Sequence, residues 1–138
     1  MSLRVESKQS LLSGTKSDAE SDSPKSSTVL IVDDDASVRR SFRRLISTLR
    51  MESIEADSGV QALQILSQTS VDVIICDVQM PLLDGISVYH ALSAPMQKRL
   101  LLLSGHDSQP LAPDGVPILH KPVPWKTLEM AILDILGR

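Results

Sequence analysis

VLIVDDDASVRR, residues 29–40, runs four apolar residues straight into three consecutive carboxylates, Asp33, Asp34 and Asp35. The short, unbroken apolar run predicts a strand over 29–32 that is covered on both faces. The acids that follow repel one another. Two unit charges about 4 Å apart cost roughly 4 kcal/mol at an effective dielectric near 20. Either the side chains diverge into water, or something positive binds among them. Beyond them Val38, Phe42, Leu45, Ile46 and Leu49 recur at the spacing of one face of an amphipathic helix. Asp35 therefore falls where a helix cap belongs, and Asp33 and Asp34 stay at the strand end.

Working outward, residues 51–56 read as a weaker strand near an edge. Ser58 can cap a second helix, with Val60, Leu63 and Leu66 facing inward. VDVIIC, residues 71–76, is a strand that ends at Asp77. QMPLLDG, residues 79–85, is a loop in which Asp84 and Gly85 shape the turn into a short third helix marked by Ile86, Tyr89 and Leu92. A strand over 100–103 ends at Ser104, and one over 116–120 leads to Lys121-Pro122. Pro124 suits the first position of a final helix carrying Leu128, Ile132, Ile135 and Leu136. Strands alternating with helices predict an α/β fold, a doubly wound five-stranded parallel sheet. In such sheets ligands bind outside the carboxyl ends of the strands.

Composition narrows the class. The chain has 138 residues, room for one core. Aromatic residues are only 2%, so aliphatic side chains must fill that core. A net charge of -3 gives no footprint for direct nucleic-acid binding, and no apolar run approaches a membrane span. The single cysteine, Cys76, excludes an internal disulfide; with no signal-peptide pattern, a cytoplasmic location is expected. Residues 1–27 are Ser-rich and poor in apolar stretches, which predicts a flexible tail or linker ahead of a domain over 28–138.

The polar residues of interest all sit at strand ends: Asp33 and Asp34 after the first, Asp77 after the third, Ser104 after the fourth, Lys121 after the fifth. All would converge on one rim. Hard oxygen ligands suit Mg²⁺, which is usually held by a few carboxylates plus other oxygens. Asp77 is then a candidate nucleophile toward phosphorus, Lys121 a neutraliser of phosphoryl oxygens, and Ser104 a hydrogen-bond donor to them.

VLIVDDDASVRRSF, VDVIICDVQMPLLDG, LLLLSG and ILHKP resemble, in order and position, the motifs of two-component response regulator receiver domains, as in chemotaxis regulators. The resemblance spans about residues 28–137. It implies a flavodoxin-like sheet of strand order 2-1-3-4-5 and phosphorylation on Asp77. By the same resemblance Asp33, Asp34, Asp77 and the Gln79 backbone carbonyl bind Mg²⁺, Ser104 is the switch hydroxyl and Lys121 the phosphate-binding lysine, with a cis Lys121-Pro122 bond. The implied partner is a sensor histidine kinase or a histidine phosphotransfer protein, and weak homodimerisation is compatible with the pattern. Such a domain is not an enzyme beyond self-catalysed phosphoryl transfer onto Asp77 and its hydrolysis.

Two departures stand out. The interval from Ser104 to Lys121 is short by more than a helical turn and contains Pro110, Pro113 and Pro117, which predicts a truncated or missing fourth helix. Where the family usually carries an aromatic switch residue, three positions before Lys121, this chain has Ile118. Other residues read more plainly. Arg39, Arg40, Arg43 and Arg44 read as a solvated helix face, Cys76 as inert packing, and His90, His106 and His120 as surface residues, with His106 and Gln79 placed to influence phosphate lifetime. Two alternative functions remain at this level. A haloacid-dehalogenase-like phosphohydrolase would use Asp33 and Asp35 but lacks a late acidic pair, since Asp107, Asp114, Glu129 and Asp134 form none. A pseudo-receiver, an interaction module never phosphorylated, usually lacks the acceptor, an acid or the lysine, and all are present here.

Overall fold

The computed structural model describes residues 26–105 and 112–137. Five strands, β1 (Thr28–Val32), β2 (Glu52–Ala56), β3 (Val73–Asp77), β4 (Leu100–Ser104) and β5 (Ile118–His120), form one parallel sheet of order β2-β1-β3-β4-β5. The helices among the described residues are α1 (Ala36–Thr48), α2 (Gly59–Leu66), α3 (Gly85–Ala91), α4 (Ala94–Gln97) and α5 (Trp125–Leu136). This is the doubly wound parallel sheet expected from the alternation of elements, in the flavodoxin-like strand order that the family resemblance implies.

The central strands are apolar because both faces are covered. Along β1, Val29 and Ile31 face one layer with Ile46 of α1 and Leu128, Ile132 and Ile135 of α5. Leu30 and Val32 face the other, with Ala62 of α2 and Val88 of α3. The same alternation sends Val73 and Ile75 of β3 one way and Ile74 and Cys76 the other. Burying a Leu or Ile side chain contributes about 1.5–3 kcal/mol, so these strands anchor the carboxyl ends that follow them.

Helix boundaries follow local chemistry. Asp35 caps α1, accepting from the Ser37 N–H and hydroxyl at 2.9 and 2.7 Å. At the other end Arg50 takes a left-handed φ of 61°, and Met51 N–H bonds back to Ile46 O at 3.2 Å. Ser58 caps α2 as expected. Asp84 caps α3 through Ser87 N–H at 2.8 Å. The Lys121-Pro122 bond is cis.

Several expectations need correction. Val60 is 50% exposed; Gly59 and Ala62 take the buried face of α2 instead. The reason is contact: a Cβ on Gly59 would sit 2.7 Å from Leu83 O, so the bare Gly59 backbone points inward and Val60 turns out. Pro124 is the N-cap of α5, with Trp125 its first helical residue. The last strand is shorter than 116–120, and Val71 is buried ahead of β3 rather than within it. The brief α4, which has Pro95 in its first turn, lies before β4 and is unforeseen in the sequence. Between β4 and β5 no helix occurs among the described residues; 106–111, including His106, Asp107 and Pro110, lie outside them, as do residues 1–25.

Candidate functional site

Parallel register brings the strand ends together. Val32 pairs with Cys76, so Asp33 and Asp77 follow as neighbours one step further on. Ser104 pairs with His120, so Lys121 emerges beside the same rim, held by Lys121 N–H donating to Ser104 O at 2.8 Å. The carboxylates of Asp33, Asp34 and Asp77 offer oxygens that all lie within 4.8 Å of one another. Lys121 Nζ bridges two of them, 2.8 Å from Asp33 Oδ2 and 3.3 Å from Asp77 Oδ2. Asp33 and Asp77 are buried, Asp34 is exposed.

The electrostatics express this crowding. Burial first, and the Asp33 charge second, push the Asp77 carboxyl above its ordinary value, and Lys121 offsets them only in part. For Lys121 burial works to lower the pKa, but the hydrogen bond to Asp33 and the charges of Asp33 and Asp77 outweigh it and the net direction is up. Asp33 Oδ1 accepts from Asp35 N–H at 2.9 Å. Gln79 N–H reaches Asp77 Oδ1 at 3.3 Å, curling the β3–α3 loop over the carboxylate. The exposed Gln79 side chain lies over Gly105, where a Cβ would meet its Oε1 at 2.7 Å. Ser104 is fully buried and its hydroxyl donates to Gly105 O at 3.2 Å.

Asp33, Asp34, Asp77, Gln79, Ser104 and Lys121 thus meet at one rim. Asp35 does not join them; it is committed to its cap, which removes the second carboxylate that the phosphohydrolase alternative requires. Glu129 and Asp134 lie on α5, and Asp33, Asp34 and Asp77 are the one acidic cluster of metal-binding geometry among the described residues. His90 and His120 are exposed. Cys76 is buried, and burial pushes its thiol well up, consistent with inert packing.

The expectation of a solvated arginine face holds for Arg40 and Arg44 but fails for Arg39. Its Nε donates to Glu55 Oε1 at 3.0 Å and its Nη1 to the Asp33 carbonyl at 2.7 Å. Arg43 Nη1 takes the other Glu55 oxygen at 2.7 Å. Burial works to raise the Glu55 pKa, yet its bonds to the two guanidinium groups hold it below the ordinary value.

Against this geometry, the model of the response regulator receiver domain family matches residues 29–132. The chain belongs to the response regulator receiver domain family. It is therefore a module of two-component signalling. The response regulator MprA of Mycobacterium sp. (strain KMS) is 38% identical over 81 residues, 58% of this chain and 35% of that protein. MprA of Mycobacterium leprae (strain TN) is likewise 38% identical over 81 residues, 58% of this chain and 36% of its own length. The matched region spans about a third of these curated relatives. Among solved structures, a response regulator receiver domain protein from Clostridium thermocellum superposes with a TM-score of 0.75 at 26% identity, covering 81% of this chain and 95% of that one. The chemotaxis protein CheY4 of Vibrio cholerae gives 0.71 at 27% identity, covering 81% and 100%. No helix among the described residues of this receiver is long and apolar enough to cross a membrane.

Proposed function

We propose that this receiver is an Mg²⁺-dependent phosphoacceptor, taking a phosphoryl group onto Asp77 from the phosphohistidine of a sensor histidine kinase or a histidine phosphotransfer protein. The observation that carries the reading is Lys121 Nζ held between Asp33 and Asp77, at 2.8 and 3.3 Å, inside a cluster of three carboxylates. Three carboxylates against one ammonium leave an excess of negative charge that a divalent cation matches. The donors are all oxygens, as Mg²⁺ requires. Asp33, Asp34, Asp77 and the Gln79 backbone carbonyl would hold it. Bound there, the ion offsets the charge of the transferring phosphoryl oxygens.

Asp77 supplies the nucleophile: a carboxylate oxygen bonds to phosphorus as the phosphorus–nitrogen bond of the donor breaks, giving an acyl phosphate. Lys121, 3.3 Å from Asp77 Oδ2, neutralises part of the phosphoryl charge. Ser104 turns its hydroxyl from Gly105 O to a phosphoryl oxygen. Residues 28–138 form the receiver, with 1–27 as tail or linker, and the working compartment is the cytoplasm.

The test is incubation of the full chain with Mg²⁺ and acetyl phosphate or phosphoramidate, followed by intact-mass measurement. The wild type gains one phosphoryl group and Asp77→Asn does not. Absence of the adduct together with absence of beryllofluoride binding overturns the proposal. Steady turnover of a phosphomonoester that requires Asp33 but not Asp77 replaces it with the hydrolase reading.

A further inference from the structure

Arg39 is not one of the cluster's carboxylates or its lysine, yet it reaches the cluster through the main chain. Its side chain is only 16% exposed. One planar guanidinium ties three parts of the fold: α1 carries it, the Asp33 carbonyl accepts from Nη1, and Glu55 on β2 accepts from Nε. Arg43 braces Glu55 from the other side. Asp33 is consequently held at every polar atom. Its N–H bonds to Ala56 O at 3.2 Å, its carbonyl to Arg39, Oδ1 to Asp35 N–H and Oδ2 to Lys121. Of these four restraints, only the carbonyl bond fixes the peptide that joins Asp33 to Asp34.

We infer that Arg39 is a positioning residue for the cation site: by gripping the Asp33 carbonyl against Glu55, it fixes the Asp33–Asp34 peptide in the orientation that receives a divalent cation. This rests on the cation reading of the acidic cluster given above. Two opposed effects make the inference testable by sign. Loss of a positive charge near three carboxylates, acting through Coulomb's law alone, strengthens cation binding. Loss of an outer partner that orients a ligand weakens it, typically by 10–100-fold. The second effect dominates here, because Glu55 already offsets the Arg39 charge, while among the described residues Arg39 is the donor that holds the Asp33 carbonyl. Lysine is not an equivalent, since a single ammonium lacks the rigid fork that meets a carbonyl and a carboxylate in different directions.

The experiment uses the full chain and Mn²⁺ as the probe, with free Mn²⁺ read by electron paramagnetic resonance near neutral pH and thermal melting recorded in EDTA. Arg39→Gln is expected to raise the Mn²⁺ dissociation constant about tenfold. Arg39→Lys, which keeps the charge, is expected to weaken binding in the same direction and decides the matter should Arg39→Gln not fold. Glu55→Gln, which keeps an acceptor for the guanidinium, is expected to weaken binding less than either. Unchanged or tighter Mn²⁺ binding by a folded Arg39 variant overturns the inference, even if its melting temperature has dropped, for that is the mark of a simple staple between α1 and β2. If the wild type binds no Mn²⁺, or Asp34→Asn binds as well as the wild type, the cation reading itself falls and the inference with it.

Discussion

At Asp77 burial and like charge act in one direction, and the ammonium beside it does not fully cancel them. A carboxyl whose folded pKa is raised penalises the folded state when ionised. The penalty is absent below the ordinary pKa, grows as pH rises from there toward the raised value, and is complete above it. Asp77→Asn removes it. In EDTA at neutral pH this variant is expected to melt above the wild type. The gap should close as pH falls through the raised pKa toward the ordinary value of 3.8. Melting curves of both proteins across acidic and neutral pH check this, and a less stable variant at neutral pH contradicts it. Lys121 has the complementary sign: its raised pKa gives stability that is present below the ordinary 10.5 and lost as pH climbs through the folded value. Asp33, Asp34, Asp77, Ser104 and Lys121 were legible in the sequence because each ends or follows an apolar run, so strand ends marked the rim. Arg39 was not. Its key acceptor is a backbone carbonyl, which no residue pattern announces, and its carboxylate partner lies on a strand whose register only the folded sheet fixes.

On the scale of elements, Gly85 sets how closely α3 approaches the strand that ends in Asp77. A Cβ there would sit 2.7 Å from Asp77 O and 2.9 Å from Val78 Cα. Both are backbone atoms and cannot rotate away. Gly85→Ala is expected to destabilise the fold by about 1–3 kcal/mol and to weaken Mn²⁺ binding, because relief of the clash displaces the Asp77 peptide. Ser58→Ala is the contrast. It removes the acceptor of Gln61 N–H at the start of α2 and should cost about 1 kcal/mol with cation binding unaltered. Denaturant unfolding and the Mn²⁺ titration together separate the two outcomes. β1, β3 and β4 were legible because continuous Val, Ile and Leu runs have few other uses in a chain this size. Val60 misled because helical periodicity treats every apolar residue as inward, whereas the contact of Gly59 with Leu83 sets the rotation of α2. The short α4 escaped notice because four residues are too few to display a period.

Across the whole molecule, the acidic rim should make stability depend on divalent cations. Mg²⁺ at about a hundred times its dissociation constant is expected to add about 2.7 kcal/mol to the wild type and far less to Asp34→Asn or Asp77→Asn. A melting temperature indifferent to Mg²⁺ contradicts this. The sheet is uneven in how firmly it is held. β3 and β4 are buried along their whole length, whereas β5 has three residues, none of them fully buried. At its far end stands Lys121, whose partner Asp33 lies 88 positions earlier in the chain. The first strand's acid and the last strand's base therefore act as a clasp across nearly the full sheet. A fragment that stops before β5 keeps three crowded carboxylates with no lysine between them, and any gain or loss of charge at Asp33 or Asp77 pulls directly on the strand least able to resist it.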